Sequence, residues 1–273
     1  MMPSPRSPRA PQAPLAAAAA TVAIGVVVLT GLAAVRTGEP RPWTVPAVGP
    51  AVLVQPLPLI SDEEPELVSS DAAAQGPAPG APRSAATWQT ATAEATGIPA
   101  VAVRAYGDAV LALEVEAPGC RVGWTTLAGL GAVESGHGSH DGSVLLADGR
   151  ASPGIVGPAL DGNGVAAIRA TPESTAWHGD PVWDHAVGPM QFIPSTWRRW
   201  GADGDGDGVA DPQDIDDAAL AAARYLCADG RDLSAAAGWQ AAVFSYNHSD
   251  AYVADVLALA DGYGAAVTRA AGQ

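Results

Sequence analysis

The sequence predicts a mainly α-helical domain with a long irregular loop region, placed after an N-terminal apolar helix and a disordered linker. Helix start and stop signals bracket six segments in the later part of the chain. Residues 138–188 differ, because they are rich in Gly, Pro and Asp and show no lasting period. An irregular stretch of that length inside a compact domain is usually functional. We therefore divide the chain into a membrane anchor or signal segment (1–36), a Pro/Ala-rich linker (37–84) and a helical domain (85–270).

The N-terminal segment is predicted to be a membrane anchor. Between Pro14 and Arg36 lie 21 uncharged, mostly apolar residues, preceded by Arg6 and Arg9. A membrane span needs about 20 such residues, whereas a cleaved signal peptide has an apolar region of about 7–15. The alternative is a secreted form, because Gly31-Leu32-Ala33 could serve as a cleavage site. In both cases the arginines stay inside and the rest of the chain is extracytoplasmic.

The linker and the charge distribution limit the classes of partner. Residues 37–84 are rich in Pro, Gly, Ala and acids, which is typical of an extended, semi-rigid spacer. All positive charge comes from 14 arginines, three of them in the anchor, so the remainder carries 11 arginines against 29 acids, a net charge of −18. Such a surface repels phosphate backbones, and we expect no nucleic-acid partner.

Each helix of the domain is predicted from a local signal. Proline at the first turn opens the first helix, glycines end the next three, and serine or aspartate caps the last two. The fifth also shows apolar residues at helical spacing, Trp239, Ala242, Val243 and Tyr246. The six predicted helices run from Ile98-Pro99 to about Glu116, Trp124 to Ser135, Pro194 to Trp200, Asp216 to Ala228, a Ser234 cap to about Tyr246, and a Ser249 or Asp250 cap to Leu259.

Two cysteines, Cys120 and Cys227, are present. In an exported chain such a pair predicts one disulfide, and the alternative is two buried thiols. A bond between them would close a loop of about 107 residues and stabilise the domain by about 4 kcal/mol.

Glu134 is the first candidate for chemistry, in the stretch GAVESGHGSH. It falls in the last turn of the second predicted helix, where the helix dipole is negative and disfavours an anion. Burial among the apolar residues before it would also raise its pKa, as a general acid requires near neutral pH. The alternative is an ordinary acid at a helix end in solvent.

Two further stretches combine apolar and polar groups as a sugar cleft does. Ala186–Trp197 places a glycine, a proline and Gln191 beside Met190 and Phe192. Phe244–Ser249 places a tyrosine and an asparagine at a helix end. Read alone, the first could be a buried turn before a helix and the second a helix cap.

Taken in order, Glu134-Ser135, Gly188–Trp197 and Tyr246–Ser249 resemble the lytic murein transglycosylases of the soluble-lytic-transglycosylase superfamily. The similar branch is the one typified by membrane-bound lytic transglycosylase B, in its actinobacterial form, and the resemblance covers about residues 95–262. It implies a lysozyme-like fold and cleavage of the β-1,4 bond between N-acetylmuramic acid and N-acetylglucosamine. The implied partner is therefore a peptidoglycan glycan strand.

The resemblance also assigns roles to residues. Glu134 is implied as the single acid/base, which leaves a 1,6-anhydro-muramyl end, and substrate-assisted glycosidases show that one carboxyl can suffice. The implied substrate-binding residues are Ser135, Met190, Gln191, Phe192, Tyr246 and Asn247. Two alternatives remain, a hydrolytic muramidase and a non-catalytic glycan-binding module. No organic cofactor is expected.

A separate pattern predicts a structural calcium site. Residues 203–214 read DGDGDGVADPQD and match the twelve-residue calcium loop, except that Asp replaces the usual final Glu. The predicted ligands are Asp203, Asp205, Asp207, the Val209 carbonyl, Asp211 and Asp214. The alternative is a solvated acidic turn.

The histidines do not form a recognised zinc motif. His137 and His140 lie near Glu134, but not in the H-E-x-x-H arrangement that orients two ligands on a helix. We expect these two, with His178, His185 and His248, to make loop hydrogen bonds and cleft contacts.

Overall fold

The computed structural model describes residues 82–163 and 166–272. The predicted anchor and residues 37–81 of the predicted linker lie outside these ranges. No helix within the described ranges is both long and apolar enough to cross a membrane. Ser84, at the end of the predicted linker, is buried, and its N–H and Oγ both donate to Asp108 at 2.7 Å.

The described residues form a mainly α-helical fold, as predicted. Eight α-helices occur in these ranges, together with four short strands and two 3-10 turns. The helices are α1 (Ala86–Thr96), α2 (Ala100–Glu116), α3 (Trp124–Ser135), α4 (Pro172–His178), α5 (Pro194–Trp200), α6 (Ile215–Leu226), α7 (Ala236–Tyr246) and α8 (Asp250–Ala271). The strands are β1 (Val144–Leu145), β2 (Ala151–Ser152), β3 (Val156–Ala159) and β4 (His185–Val187).

The core lies where α2 packs along α6. Alanine is the strongest helix former and the smallest core side chain, so the alanine-rich α6 can approach α2 closely. Leucines on both helices and on α3 fill the space between, and burial of each contributes about 1.5–3 kcal/mol. The fully buried leucines of this layer are Leu111, Leu127, Leu130, Leu220 and Leu226.

One buried ion pair also joins α2 to α6. The Arg104 guanidinium contacts Asp216 through two bonds, Nη2 to Oδ2 at 2.6 Å and Nε to Oδ1 at 3.1 Å. Burial raises the pKa of Asp216, and Arg104 opposes that rise. Removal of the arginine would leave a buried carboxylate without its partner, a change that costs about 3–5 kcal/mol.

Helix α3 packs against α8, and a glycine sets their separation. A Cβ at Gly129 would lie 2.7 Å from the Val256 carbonyl oxygen, too close for any side chain. The absence of a side chain therefore lets the backbone of α8 approach α3. This close approach places the start of α8 beside Glu134, at the end of α3.

The helix predictions are confirmed where glycine or proline marks the ends. The ranges of α3 and α5 agree with the prediction, and α2 and α6 differ by one or two residues. Two helices, α1 and α4, were not predicted. Helix α8 begins with the predicted Ser249 cap, whose Oγ accepts from the Tyr252 N–H, but it continues twelve residues beyond the predicted end at Leu259.

The predicted Ser234 cap of α7 is wrong. Asp232 engages the serine, because both the N–H and the Oγ of Ser234 donate to Asp232 Oδ1. The residue at the cap position of α7 is Ala235, which makes no side-chain cap bond.

The irregular region is ordered by two small antiparallel pairs and one short helix. Strand β1 pairs with β2, and β3 pairs with β4. Helix α4 begins with a capping box between Thr171 and Ser174. Strand β4 leads directly into the turn at Gly188, so this region supports one wall of the candidate site.

The predicted disulfide is present. Cys120 and Cys227 are bonded, with their Cα atoms 5.4 Å apart and 107 residues between them in sequence. The alternative of two buried thiols is therefore not what the structure contains. The bond links the segment before α3 to the end of α6.

Candidate active site

Glu134 lies on the last turn of α3, where the chain reverses. Gly136 caps the helix in the left-handed conformation, with φ of 59°, and its N–H donates to the Ala132 carbonyl at 3.0 Å. A glycine adopts this conformation without steric cost, so the helix ends directly after Glu134. The Glu134 side chain is half-buried.

The carboxyl of Glu134 has one hydrogen-bond donor, the hydroxyl of Tyr252 on α8. Burial raises the pKa of Glu134 to about 7, and the Tyr252 hydrogen bond pulls it downward. The direction of the predicted shift is therefore confirmed, with burial as its cause. A carboxyl that titrates near 7 can give and take a proton at neutral pH.

The turn at residues 188–191 lies next to the end of α3 and forms one wall of the candidate site. We call it the wall turn. Val187 and Phe192 exchange both backbone bonds, at 2.9 and 3.0 Å, and so close a tight loop. Gln191 is held at a φ of 50°, a left-handed conformation that non-glycine residues rarely adopt. Such strain is concentrated at functional sites.

Ser135 ties the helix end to the wall. Its Oγ donates to the Pro189 carbonyl at 2.6 Å and accepts from the Gly138 N–H at 2.7 Å. The two bonds use the hydroxyl as both donor and acceptor, and the side chain is only 4% exposed. Ser135 therefore fixes Glu134 relative to the turn.

Helix α7 contacts the same wall through Tyr246. The Tyr246 hydroxyl donates to the Met190 carbonyl at 2.8 Å. Burial raises the pKa of Tyr246, and the charge of Glu134 contributes to that rise. The structure thus brings Glu134, Ser135, the 188–191 turn and Tyr246 together.

Not every predicted substrate-binding residue reaches the surface. Met190 and Phe192 are 0% and 3% exposed, so with Ser135 they form a buried layer beneath the site. Their burial does not support direct contact between these three side chains and a sugar. Gln191 is half-buried and Asn247 is exposed, so these two keep polar groups within reach of a ligand.

Gln191 is positioned by a glycine opposite. Its Nε2 donates to the Gly188 carbonyl at 3.0 Å, and its Oε1 lies where a side chain at Gly157 would be. Gly157 in β3 therefore leaves room for the amide. This leaves the Gln191 oxygen as an acceptor at the wall.

Tyr252 is a site residue that the sequence analysis missed. It lies 118 residues after Glu134, and only the packing of α8 on α3 brings the two together. A signal was present, because Tyr252 stands three residues after the Ser249 cap, in the first turn of the helix that follows the Tyr246–Ser249 motif.

The histidines of the region are engaged in hydrogen bonds. His137 contacts the Tyr106 and Tyr263 hydroxyls, at 3.0 and 2.9 Å. His178 contacts Asp184 at 2.9 Å and accepts from the Asp180 N–H. These contacts agree with the expected role in hydrogen bonding.

The other three histidines are His185, which is partly buried, and His140 and His248. His185 contacts the Gly157 carbonyl at 2.7 Å and Asp180 at 3.3 Å. His140 and His248 are exposed, and the ring of His248 packs edge-on against Phe244.

The acidic loop that follows α5 fits a cation only in part. Carboxylate oxygens of Asp203, Asp205 and Asp217 lie within 4.8 Å of one another, a spacing that one cation could bridge. Burial raises the pKa of Asp217 to about 8, and neighbouring carboxylates, Asp214 and Asp205, contribute to that rise.

Three of the other predicted ligands have different partners. Asp211 receives the Arg150 guanidinium at 2.6 Å, and Asp207 lies 3.6 Å from the same group. Asp214, the predicted final ligand, caps α6 by accepting from the Asp216 N–H at 2.9 Å. Val209 is exposed. The geometry therefore favours Asp217 over Asp214 as the last carboxylate of a cation site.

The acidic loop also supports the wall. Gly188, with φ of 78°, packs so closely on the Pro212 carbonyl that a side chain there would overlap with it. The Gln213 amide exchanges two bonds of 2.8 Å with the backbone of Ile155, whose carbonyl accepts from the Gly188 N–H at 2.9 Å. The position of the 188–191 turn thus depends on residues 212 and 213.

A protein-family model described as the transglycosylase SLT domain matches residues 175–244 of this chain. These residues contain β4, the wall turn, the acidic loop and most of α7, but neither Glu134 nor Tyr252. The match covers about a quarter of the 273 residues. It supports the lytic transglycosylase superfamily and an enzymatic activity of that type on peptidoglycan. No curated protein and no solved structure gives a significant match.

Proposed function

We propose that this protein is a lytic transglycosylase that cleaves the β-1,4 bond between N-acetylmuramic acid and N-acetylglucosamine. Its product would be a glycan with a 1,6-anhydro-muramyl end. The observation that carries the proposal is the environment of Glu134, a half-buried carboxyl with a pKa of about 7 beside the wall turn. The match of that wall to the transglycosylase SLT domain supports the substrate class.

In the first step Glu134 is the general acid. With a pKa of about 7, a large fraction of the molecules carry the proton at neutral pH. That proton passes to the glycosidic oxygen as its bond to C1 of the muramyl residue breaks. The N-acetyl group of the substrate stabilises the positive charge at C1. Tyr252 keeps its hydrogen bond to the carboxylate that forms, which limits the cost of that buried charge.

In the second step the same carboxylate is the base. It accepts the proton of the C6 hydroxyl while O6 forms the new bond to C1 and closes the anhydro ring. Glu134 ends the cycle protonated, and no water is consumed. One titratable carboxyl is therefore sufficient. In the described part of the chain, burial and Tyr252 set the pKa of Glu134, and no second carboxylate contributes.

The remaining groups of the site would bind and orient the glycan. The half-buried Gln191 amide and the exposed Asn247 offer polar contacts to a glycan. Tyr246 would hold the wall turn in position through its hydrogen bond to the Met190 carbonyl. Ser135, Met190 and Phe192 would hold this arrangement from beneath.

Two further parts of the proposal concern the setting of the enzyme. A cation such as Ca²⁺ held by Asp203, Asp205 and Asp217 would reduce the repulsion among three neighbouring carboxylates and so stabilise the loop under the wall. The apolar segment between Pro14 and Arg36 would hold the enzyme at the outer face of the cytoplasmic membrane, with the Pro-rich linker as a spacer.

The test is digestion of purified peptidoglycan by the parent protein and by Glu134→Gln, with products identified by mass spectrometry. We expect the substitution to lower turnover at least 10²–10⁴-fold, roughly what general acid–base catalysis supplies, because Gln cannot exchange a proton. Asp141→Asn and Asp180→Asn are the controls. Asp141 is 87% exposed, and we expect both variants to keep much of the activity.

The products separate the candidate functions. Anhydro-muramyl ends support the lyase, and reducing ends would move the protein to the hydrolytic muramidases. Glycan binding without any product would indicate a binding module. Near-normal anhydro product from Glu134→Gln would remove this residue from the mechanism.

A further inference from the structure

A buried histidine behind Glu134 joins two helices. His137 Nδ1 lies 3.0 Å from the Tyr106 hydroxyl of α2, and its Nε2 lies 2.9 Å from the Tyr263 hydroxyl of α8. The three rings are neighbours, with centroids 5.9 and 5.7 Å apart. The mechanism above uses none of these three side chains.

The backbone around His137 is shaped to place it there. His137 follows Gly136 in the left-handed conformation, with φ of 57°, and its N–H donates to the Gly131 carbonyl at 2.8 Å. Gly131 also leaves the space that the Tyr106 hydroxyl occupies, since a side chain there would overlap with the phenol. The helix end therefore has one defined position for the imidazole.

Helix α8 meets the end of α3 at two points. Tyr252 and Tyr263 are eleven residues apart, about three helical turns, so they lie on the same face of α8. Tyr252 contacts Glu134, and Tyr263 contacts His137, three residues further along the chain. Between the two points, Gly129 allows the close approach of the α8 backbone.

We propose that His137 and Tyr263 are positioning residues, which hold α8 in the register that keeps the Tyr252 hydroxyl on Glu134. We call the hydrogen bond between His137 and Tyr263 the bridge. It fixes the Tyr252 phenol, at the start of α8, from a point about three helical turns away. Without the bond between His137 and Tyr263, the rotation of α8 against α3 would depend more on packing and on the Tyr252 hydroxyl itself. The catalytic consequence of this inference rests on the proposed function, whereas the contact between Tyr252 and Glu134 does not.

The protonation state of His137 suits this role. Burial lowers the pKa of His137 to about 4, so the ring is neutral at neutral pH. A neutral imidazole donates from one nitrogen and accepts at the other, and a phenol can complement either. Both bonds can therefore persist across the pH range in which Glu134 titrates.

The titratable groups that face these two residues are tyrosines. Glu134 is faced by Tyr252 of α8 and Tyr246 of α7. His137 is faced by Tyr106 and Tyr263. Within the described residues, no carboxylate or guanidinium contributes to the pKa of either group. A change in the pKa of Glu134 after substitution of His137 or Tyr263 would therefore report on its burial or on the Tyr252 contact, and a rise in the pKa indicates loss of the contact.

The experiment follows the ¹³C carboxyl resonance of Glu134 through a pH titration. The full-length protein is labelled with ¹³C-glutamate and purified in mild detergent, and Glu134→Gln assigns the resonance. We expect Tyr252→Phe to raise the pKa of Glu134, because a hydrogen bond to the charged form is lost. We expect Tyr263→Phe to raise it by a smaller amount.

Three further variants make the test specific. The double variant Tyr252→Phe/Tyr263→Phe should titrate like Tyr252→Phe alone, because the bridge acts through Tyr252. His137→Asn, which is too short to reach Tyr263, should resemble Tyr263→Phe. Thr126→Val is the matched control, since it removes a buried bond of 3.0 Å to Trp239 at the other end of α3 and should leave the titration unchanged.

Activity gives the second readout. We expect Tyr263→Phe to lower kcat/KM about three- to tenfold, the effect of one buried hydrogen bond, and to move the alkaline limb of its pH profile upward. A Glu134 titration in Tyr263→Phe that superimposes on the parent curve would overturn the proposal, as would additive shifts in the double variant. If the parent protein releases no glycan product, the proposed function fails, and the titration still decides the role of His137 and Tyr263.

Discussion

Glu134 combines two properties that oppose one another, because the burial that suits it for proton transfer also makes its ionised form unfavourable in the fold. Its pKa of about 7 lies well above the ordinary glutamate value. A raised carboxyl pKa means that the folded state favours the protonated form. Relative to the unfolded chain, stability is therefore lost as pH rises from the ordinary value to about 7, and this loss persists at higher pH.

Glu134→Gln should remove this pH-dependent loss, because Gln stays neutral and its carbonyl can still accept from Tyr252. We expect the variant to equal the parent in free energy of unfolding at pH 4, and to exceed it by about 1–3 kcal/mol at pH 8. Urea denaturation at the two pH values measures the difference. The control is Glu94→Gln, at an exposed position of α1. Equal stabilities at pH 8 would mean that the carboxyl is not held in an unfavourable charged state.

The sequence could predict Glu134 but not its partner. The position of the carboxyl followed from the end of one helix and the apolar residues before it, both of which are local. Tyr252 depends on the approach of α8 to α3 at Gly129, which no local pattern encodes. The burial of Met190 could not be decided for the same reason, since the sequence left both a cleft wall and a buried turn open for this stretch.

At the scale of elements, the acidic loop between α5 and α6 offers a test of which carboxylate completes its cation site. The calcium-loop pattern assigns that role to Asp214, whereas the structure groups Asp217 with Asp203 and Asp205. Asp214 instead caps α6, and asparagine can also cap a helix.

We expect Ca²⁺ to raise the melting temperature of chelator-treated protein. A ligand at a hundredfold excess over its dissociation constant stabilises by about 2.7 kcal/mol. Asp217→Asn should abolish the calcium-dependent rise, and Asp214→Asn should retain most of it. Thermal melts with and without Ca²⁺ measure both variants against their own calcium-free baselines. If Asp214→Asn abolishes the rise and Asp217→Asn keeps it, Asp214 is the final ligand, as the twelve-residue pattern predicts. If Ca²⁺ does not change the melting temperature of the parent protein, there is no calcium site.

Helix prediction succeeded where a backbone-specific residue marks the end of the element. Gly123 and Gly136 flank α3, and Pro194 and Gly201 bound α5. It failed where another side chain competes for the same groups, as Asp232 does for Ser234. It also missed α4, because the seven residues of this helix lie in the stretch 138–188 that was predicted to be irregular, although Pro172 and Gly179 bound the helix.

At the scale of the whole molecule, the disulfide constrains how far α3, the helix that carries Glu134, can move from the core. Cys120 precedes α3 and Cys227 follows α6, so the bond connects the helix that carries Glu134 to the helix at the centre of the core. The residues between them include the wall and the acidic loop.

Loss of the disulfide should therefore destabilise the domain by about 4 kcal/mol, mainly because the unfolded chain gains freedom. The comparison is urea unfolding of the parent protein, the reduced parent and Cys120→Ser/Cys227→Ser. We expect the last two to unfold at similar, lower urea concentrations. An unchanged midpoint after complete reduction would show that the bond contributes little.

The contact of Gly188 with the Pro212 carbonyl has a consequence for protein engineering. A designer who replaces the acidic loop with a shorter connection removes the carbonyl on which Gly188 lies and the Gln213 amide that holds Ile155. The wall turn would lose these packing and hydrogen-bond contacts even though none of its own residues had changed. Grafting the turn alone onto another helical scaffold would fail for the same reason. Residues from Ile155 through Gln213 therefore have to be transplanted as one cassette.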